Sequence, residues 1–141
     1  MRRLSLAACV ALTLSVGCIG GDDDSHPLVH DQRLPSGKVV KVVSCLLAWG
    51  VEHDERHPDQ DAFALEYLSE TPREPTDGLE REAVQVFELI RPISEQWGLT
   101  LATVTALRTL ERTGTYDVFA FRRSEQGTWT HTVQVITRNK D

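Results

Sequence analysis

The stretch DGLEREAVQVFELIRPISEQWG, residues 77–98, decides the fold class because it predicts the one helix of the chain. Asp77 with Glu80 three residues later has the spacing of a capping box, which predicts the helix start. Gly98 predicts its end, and Pro92 is expected to interrupt it by removing a backbone donor. The apolar side chains form one stripe that must face a core: Leu79, Ala83, Val86, Phe87, Ile90 and Trp97.

A hairpin is predicted on the N-terminal side of this helix. Residues 38–52, KVVKVVSCLLAWGVE, carry Val and Leu on both alternating faces, which is typical of a long central strand. Residues 61–70, DAFALEYLSE, alternate between apolar and polar side chains. The two segments therefore form a hairpin around the polar stretch 53–60.

The C-terminal side of the helix predicts a second hairpin, formed by residues 116–123 and 128–138. Residues 99–112, LTLATVTALRTLER, fit two structures. As a strand they alternate, and their threonines favour this alternative. As a helix their apolar residues align on one face, with Gly114 as the stop. We predict the strand.

The helical alternative resembles the helix-turn-helix motif of DNA-binding proteins over residues 92–112. The matching apolar and turn positions are Ile93, Trp97, Gly98, Leu99, Val104 and Leu107. The resemblance implies a nucleic-acid binder, provided that the N-terminus is not an export signal. DNA binding normally relies on clustered basic charge, whereas this chain carries a formal charge of −6. We therefore expect no nucleic-acid partner.

Together these elements predict an α+β domain over residues 38–141, with the order ββαβββ. A mainly antiparallel sheet of about five strands would carry one helix on one face. The length of 141 residues, with 40% hydrophobic and 26% charged residues, fits one soluble globular domain. Three cysteines are too few for a disulfide-stapled mini-protein, and the composition argues against a transmembrane bundle.

The N-terminus predicts a signal peptide over residues 1–17. Arg2 and Arg3 supply the positive charge, and residues 4–16 carry no charge. Thirteen helical residues span about 20 Å, which is too short for a bilayer core of about 30 Å. Small residues then precede Cys18, as a signal peptidase requires.

The sequence LSVGC, residues 14–18, resembles the lipobox of bacterial lipoproteins, with serine at Ser15 where leucine is usual. The resemblance implies a covalent lipid on Cys18 and anchoring to a membrane of the cell envelope. Ile19 is not the aspartate that retains enterobacterial lipoproteins in the inner membrane, so the outer membrane is favoured. The alternative is cleavage after Gly17 without lipid, which would release the protein into the periplasm.

Residues 18–37 are rich in Gly, Asp and Pro, which predicts a flexible tether between the anchor and the domain. If Cys18 carries lipid and residues 1–17 are removed, Cys45 remains the only cysteine thiol. Cys45 lies among Val and Leu residues, so we expect a small buried apolar side chain without a nucleophilic role.

The segment 53–61, HDERHPDQD, is the best candidate for a metal site. It places two imidazoles near several carboxylates, so zinc could be held by His53, His57 and Asp59. Pro58 argues against a helix that would align the histidines, and the order differs from the H-E-x-x-H protease motif. A soluble hairpin tip explains the same residues, and we expect no cofactor other than the lipid.

A ligand patch is a further candidate, formed by Arg108, Arg122, Trp129 and His131 on an open sheet face. If this face is uncovered, Trp129 and Tyr116 would form an exposed aromatic surface for a protein or glycan partner. His131 has no serine or cysteine motif to act with, so no catalytic residue is assigned.

The sequence therefore predicts an exported lipoprotein with a small non-catalytic binding or interaction domain. Its partners would be the membrane, through the lipid, and an envelope protein or glycan. The alternatives are a divalent-metal-binding protein that uses the loop His53–Asp61, and the helix-turn-helix nucleic-acid binder.

Overall fold

A computed structural model describes residues 26–48 and 61–139. These residues form one helix and six strands. Their bounds are β1 Asp31–Arg33, β2 Val39–Ala48, β3 Ala62–Leu68, α1 Thr76–Gln96, β4 Leu101–Leu107, β5 Gly114–Arg123 and β6 Trp129–Arg138. No helix in this part of the chain is both long and apolar enough to cross a membrane.

The six strands form one sheet in sequence order, β1 to β6. Neighbouring strands are antiparallel except β3 and β4, which are parallel because α1 returns the chain between them. The predicted α+β class, with one helix packed on a mainly antiparallel sheet, is confirmed. The sheet has six strands rather than about five.

The additional strand, β1, lies inside the segment predicted as a tether. Residues 31–33 pair with the start of β2, and Gly37 closes the turn between them with a φ of 88°. Leu34 is buried in the core at 3% exposure, and His26 is buried at 6%. Of the predicted tether 18–37, the part from His26 onward therefore belongs to the domain, because its apolar side chains cover the edge of the sheet.

Residues 101–107 are a strand, as predicted, and the helical alternative is wrong. Ala102, Val104 and Ala106 are each 0% exposed and face α1, because strand alternation places every second residue in the core. A strand at this position cannot be a recognition helix, so the helix-turn-helix interpretation of residues 92–112 is also wrong.

The helix differs from its prediction at both ends. It begins at Thr76 after Pro75, with no side-chain capping hydrogen bond, so the predicted capping box is wrong. Glu80 pairs instead with His131 on β6, and this interaction takes the side chain away from the helix start. At the other end, Gly98 adopts a φ of 68° beyond the last helical residue, as expected of a helix stop.

Pro92 does not interrupt the helix, which continues to Gln96. Pro92 and Glu88, whose carbonyl loses its donor, both lie on the exposed side. Water can hydrogen-bond to that carbonyl there, so the helix tolerates the proline at a cost in stability.

The core lies between α1 and one face of the sheet. The rings of Phe87 on α1 and Phe121 on β5 are stacked, with centroids 4.0 Å apart. Phe87 also makes an edge contact with Trp129, at 5.1 Å between centroids. Cys45 is buried at 4% exposure, which confirms its assignment to the core.

Candidate functional site

The candidate site is a cleft of about 370 Å³ between the N-terminal half of α1 and the β5–β6 hairpin. Its apolar floor consists of Leu79, Phe119, Val133 and Val135. Its polar rim consists of Arg73, Glu74, Thr76, Glu80 and Asp117. We refer to it as the helix-side cleft. Its volume lies in the range of small-molecule and side-chain binding sites.

The cleft exists because α1 covers only part of the outer strand, β6. Val133 and Val135 lie on the helix-facing side of β6 yet are 49% and 53% exposed. Their neighbours across the ladder, Phe119 and Asp117, are buried. The floor of the cleft therefore descends from the exposed edge strand into the core.

One end of the floor is closed by the ion pair between Arg73 and Asp117. Nε of Arg73 donates to Oδ2 of Asp117 at 2.9 Å, and Nη2 donates to Oδ1 at 3.2 Å. Asp117 is 4% exposed, and a buried carboxylate needs such a partner to remain charged. The hydrogen bond and the negative charge of Asp117 raise the pKa of Arg73 above its ordinary value.

The other end is closed by Glu80 and His131. Oε1 of Glu80 lies 2.7 Å from Nε2 of His131, and the imidazole packs against Phe121 with centroids 5.1 Å apart. Register explains the order, because His131 lies opposite Phe121, Val133 opposite Phe119, and Val135 opposite Asp117. The apolar floor thus lies between two polar pairs.

A second polar cluster lies beneath α1 and is centred on Glu82, which is 5% exposed. Oε1 accepts hydrogen bonds from the hydroxyls of Tyr67, at 2.9 Å, and Ser69, at 2.5 Å. Oε2 accepts from the Thr71 hydroxyl and pairs with Nζ of Lys38 at 2.6 Å. These partners come from β3, from the loop that follows it and, for Lys38, from the residue just before β2.

Burial by itself raises the pKa of Glu82, but the four hydrogen bonds outweigh burial and lower it below 4.5. Burial, followed by the charge of Glu82, raises the pKa of Tyr67 well above its ordinary value of 10. The carboxylate is thus held in its charged form by groups already committed to it. The cluster fixes α1 on the sheet and so positions the helix-side cleft.

The structure brings together only two of the four residues of the predicted ligand patch, which consists of Arg108, Arg122, Trp129 and His131. Trp129 and His131 lie on the same face of β6, two residues apart. Arg122 lies on the opposite face of the sheet, because it pairs with Thr130 and not with His131. Arg108 follows the far end of β4, where Nη1 donates to the carbonyls of Ser69 and Thr71.

The predicted exposed aromatic surface is also absent from the described residues. Tyr116 is 5% exposed, and Trp129 packs on Phe87 while its Nε1 donates to Glu95 at 2.9 Å. On the open sheet face, Arg112 donates hydrogen bonds to the carboxylate of Glu66, with three nitrogen–oxygen distances of 3.0 to 3.1 Å.

Cys18, and the candidate metal ligands His53, His57 and Asp59, lie outside the described residues. Within residues 26–48 and 61–139, no group of three or more His, Cys, Asp or Glu side chains could hold a metal ion. The predictions for lipid and for zinc therefore remain predictions.

Sequence patterns missed both the cleft and the Glu82 cluster, although one signal pointed to each of them. Asp117 alternates with Phe119 and Phe121, which places a carboxylate at a core position of its strand. Glu82 lies at helical spacing between Leu79 and Val86 and interrupts the apolar stripe in the same way. A charged residue at a core position predicts a buried partner, but its identity depends on tertiary contacts.

Comparison with known proteins gives no family for this chain. No protein-family model, no curated protein and no solved structure matches it.

Proposed function

We propose that the chain is an exported lipoprotein whose α+β domain is a non-catalytic binding module, with the helix-side cleft as its ligand site. The observation that carries the proposal is the exposed apolar floor between two polar pairs. Val133 and Val135 remain about half exposed beside a cleft of about 370 Å³. Exposed apolar surface that lines a concave site is typical of ligand binding.

The rim indicates the class of ligand. Arg73 donates from Nε and Nη2 to Asp117, and its side chain is 39% exposed. Its Nη1 can therefore donate a hydrogen bond to an acceptor on a ligand. A ligand with an apolar body and a hydrogen-bond acceptor fits this arrangement. An apolar side chain from an envelope protein fits this arrangement better than a glycan, because Tyr116 is buried and the half-buried Trp129 packs against Phe87.

Binding is supported over catalysis by the state of the polar groups at the cleft. Asp117 is committed to Arg73, and Glu80 to His131. Thr76 supplies the only hydroxyl of the rim described above. These groups can orient a ligand, whereas an activated nucleophile would require a base in contact with it.

The cell-envelope location rests on the leader. The charged start at Arg2 and Arg3, the uncharged stretch 4–16 and the LSVGC sequence support export and lipidation at Cys18. The proposed place is the outer membrane, since Ile19 follows the cysteine. Cleavage without lipid would instead place the domain in the periplasm.

The cleft is tested with the fluorescent probe 1-anilinonaphthalene-8-sulfonate, which has an apolar aromatic body and an acceptor sulfonate. We expect its fluorescence to rise with the unsubstituted protein and to fall by at least half with Val133→Asp. Val39→Asp is the matched control, because Val39 is 48% exposed, close to the 49% of Val133, and lies on β2 away from the cleft. Equal fluorescence for the two variants would contradict a ligand site at the cleft.

The anchor is tested by measuring the intact mass of the protein recovered from bacterial membranes. We expect loss of residues 1–17 and the added mass of a lipid on Cys18, and we expect Cys18→Ser to leave the membrane fraction. A retained Met1 or an unmodified Cys18 would contradict the lipoprotein assignment.

A further inference from the structure

The outer edge of β6 is a long strand edge that no described residue covers. Trp129–Arg138 pairs with β5 over ten consecutive residues without a register shift. Within residues 26–48 and 61–139, no strand pairs with its other side. The opposite edge of the sheet is β1, which has only three residues. In an antiparallel ladder about half of an edge strand's backbone groups point outwards, so β6 presents a row of donors and acceptors.

The edge of β6 lacks the features that usually prevent an edge strand from pairing with another chain. β6 contains no proline, no lysine and no bulge, and its only fully charged side chain, Arg138, is at the end. The middle of the strand instead presents Val133 and Val135, at 49% and 53% exposure. An uninterrupted edge with exposed apolar residues at its centre is typical of a surface that pairs with another strand.

We propose that the occupant is β6 of a second copy of this chain, paired antiparallel about a two-fold axis at Gln134. A two-fold axis perpendicular to a sheet makes identical edge strands antiparallel and keeps both helices on one face. Residues that face each other then share a side of the sheet. With Gln134 opposite the partner's Gln134, Val133 lies opposite the partner's Val135, and this contact occurs twice.

The distribution of charge favours β6 as the surface through which two copies of the chain pair. The chain carries a formal charge of −6, so two copies repel over most of their surfaces. β6 is an exception because its ten residues, WTHTVQVITR, include no acidic side chain. The central contacts join valine to valine and amide to amide, while Arg138 lies opposite the partner's Thr130 at each end. The contact therefore brings no two like charges directly opposite each other.

Pairing of this kind would also complete the helix-side cleft. Val133 and Val135 form the outer part of its apolar floor. The partner's Val135 and Val133 would extend this floor beyond the edge of the sheet, so that one apolar surface joins the two clefts. The pairing itself does not depend on a ligand, and it goes beyond the proposed function.

The test is disulfide cross-linking of the full chain in bacterial membranes, with Gln134→Cys as the reporter. Directly opposite residues lie about 4.5–5.5 Å apart between Cα atoms, which suits a disulfide. Thr130→Cys is the matched control on the same strand and the same face. In the proposed register Thr130 and the partner's Thr130 are separated by eight residues, or about 27 Å.

We expect Gln134→Cys to give a cross-linked dimer as its main product under mild oxidation, whereas Thr130→Cys and the unsubstituted chain stay monomeric. Adding Val133→Lys to Gln134→Cys should abolish the cross-link, because lysines would face the partner's Val135. Both cysteine positions lie on the face away from the cleft, so probe binding can be measured independently.

Two results would overturn the proposal. One is a monomeric Gln134→Cys chain, the outcome if another segment of the chain or an extended peptide occupies the edge. The other is equal cross-linking of Gln134→Cys and Thr130→Cys, which indicates random collision in the membrane.

Discussion

The hydroxyl of Tyr67 donates a 2.9 Å hydrogen bond to Oε1 of Glu82, so that strand β3 and helix α1 are joined by a polar contact inside the core. Glu82 is 5% exposed and Tyr67 is 0% exposed. This contact explains why a carboxylate lies on the apolar stripe of the helix. Removal of the Glu82 carboxylate would leave the hydroxyls that donate to it without an acceptor.

We predict that Glu82→Gln lowers the free energy of unfolding by roughly 2 kcal/mol, because an amide cannot accept all of these hydrogen bonds or pair with Lys38. Urea denaturation at pH 7 measures the change. Glu88→Gln, on the exposed side of the same helix, is the control and should change stability by less than about 0.5 kcal/mol. Similar losses in the two variants would contradict a special role for Glu82.

The pH dependence of stability offers an independent test of the same cluster. The pKa of Glu82 is lowered below 4.5, so the folded state gains stability from its charged form above pH 4.5. That contribution is lost as the pH falls below 4.5 through the folded pKa. We expect the unsubstituted protein to lose more stability than Glu82→Gln over this interval. Parallel profiles of the two proteins would show that Glu82 does not titrate as expected.

A second pH-dependent contribution is expected from His26. Nδ1 of His26 accepts the backbone N–H of Leu28 at 3.1 Å, and the ring packs edge-on to Phe63. Burial lowers the pKa of His26 below 6.5, so its contribution is present above pH 6.5 and is lost as the pH falls below it. His26→Phe should flatten the stability profile between about pH 7 and pH 5. Equal slopes for His26→Phe and the unsubstituted protein would contradict a contribution from His26.

We predict that Phe87→Ala lowers the free energy of unfolding by about 3–5 kcal/mol, because it leaves a cavity beside Phe121 and Trp129. Phe87→Leu restores much of the volume and should cost less than about 1.5 kcal/mol. Urea denaturation followed by tryptophan fluorescence measures both. A loss below about 1 kcal/mol for the alanine variant would be incompatible with the observed packing.

Pro92→Ala should stabilise the protein by about 1 kcal/mol. Alanine restores the missing backbone donor and has a much higher helix propensity, although it also gives the unfolded chain more freedom. Thermal unfolding gives the measurement, with Arg91→Ala at the neighbouring exposed position as the control. No gain at Pro92 would mean that the helix is already adapted to the proline.

Local patterns were sufficient for most of the fold. Alternation and turn residues identified both hairpins, and the threonines of residues 99–112 correctly favoured β4 over a helix. Helical spacing identified α1, since an apolar stripe needs only local periodicity. The short strand β1 was missed, because three residues carry no periodic signal and pair only when β2 lies beside them.

The candidate site was less predictable than the fold. Trp129 and His131 were correctly singled out as neighbours, but Arg122 is on the other face and Arg108 is at the other end of the sheet. The register of the strands decides which residues share a face of the sheet and how far apart they lie, and register is set by long-range packing.

The sequence by itself determined the class of the domain and the position of its helix, because each depends on neighbouring residues along the chain. Only the tertiary structure decided where Asp117 and Glu82 find their partners and that α1 leaves Val133 and Val135 uncovered. Burial of a charge and exposure of an apolar side chain are properties of contacts between distant segments. The helix-side cleft and the open edge of β6 arise from such contacts.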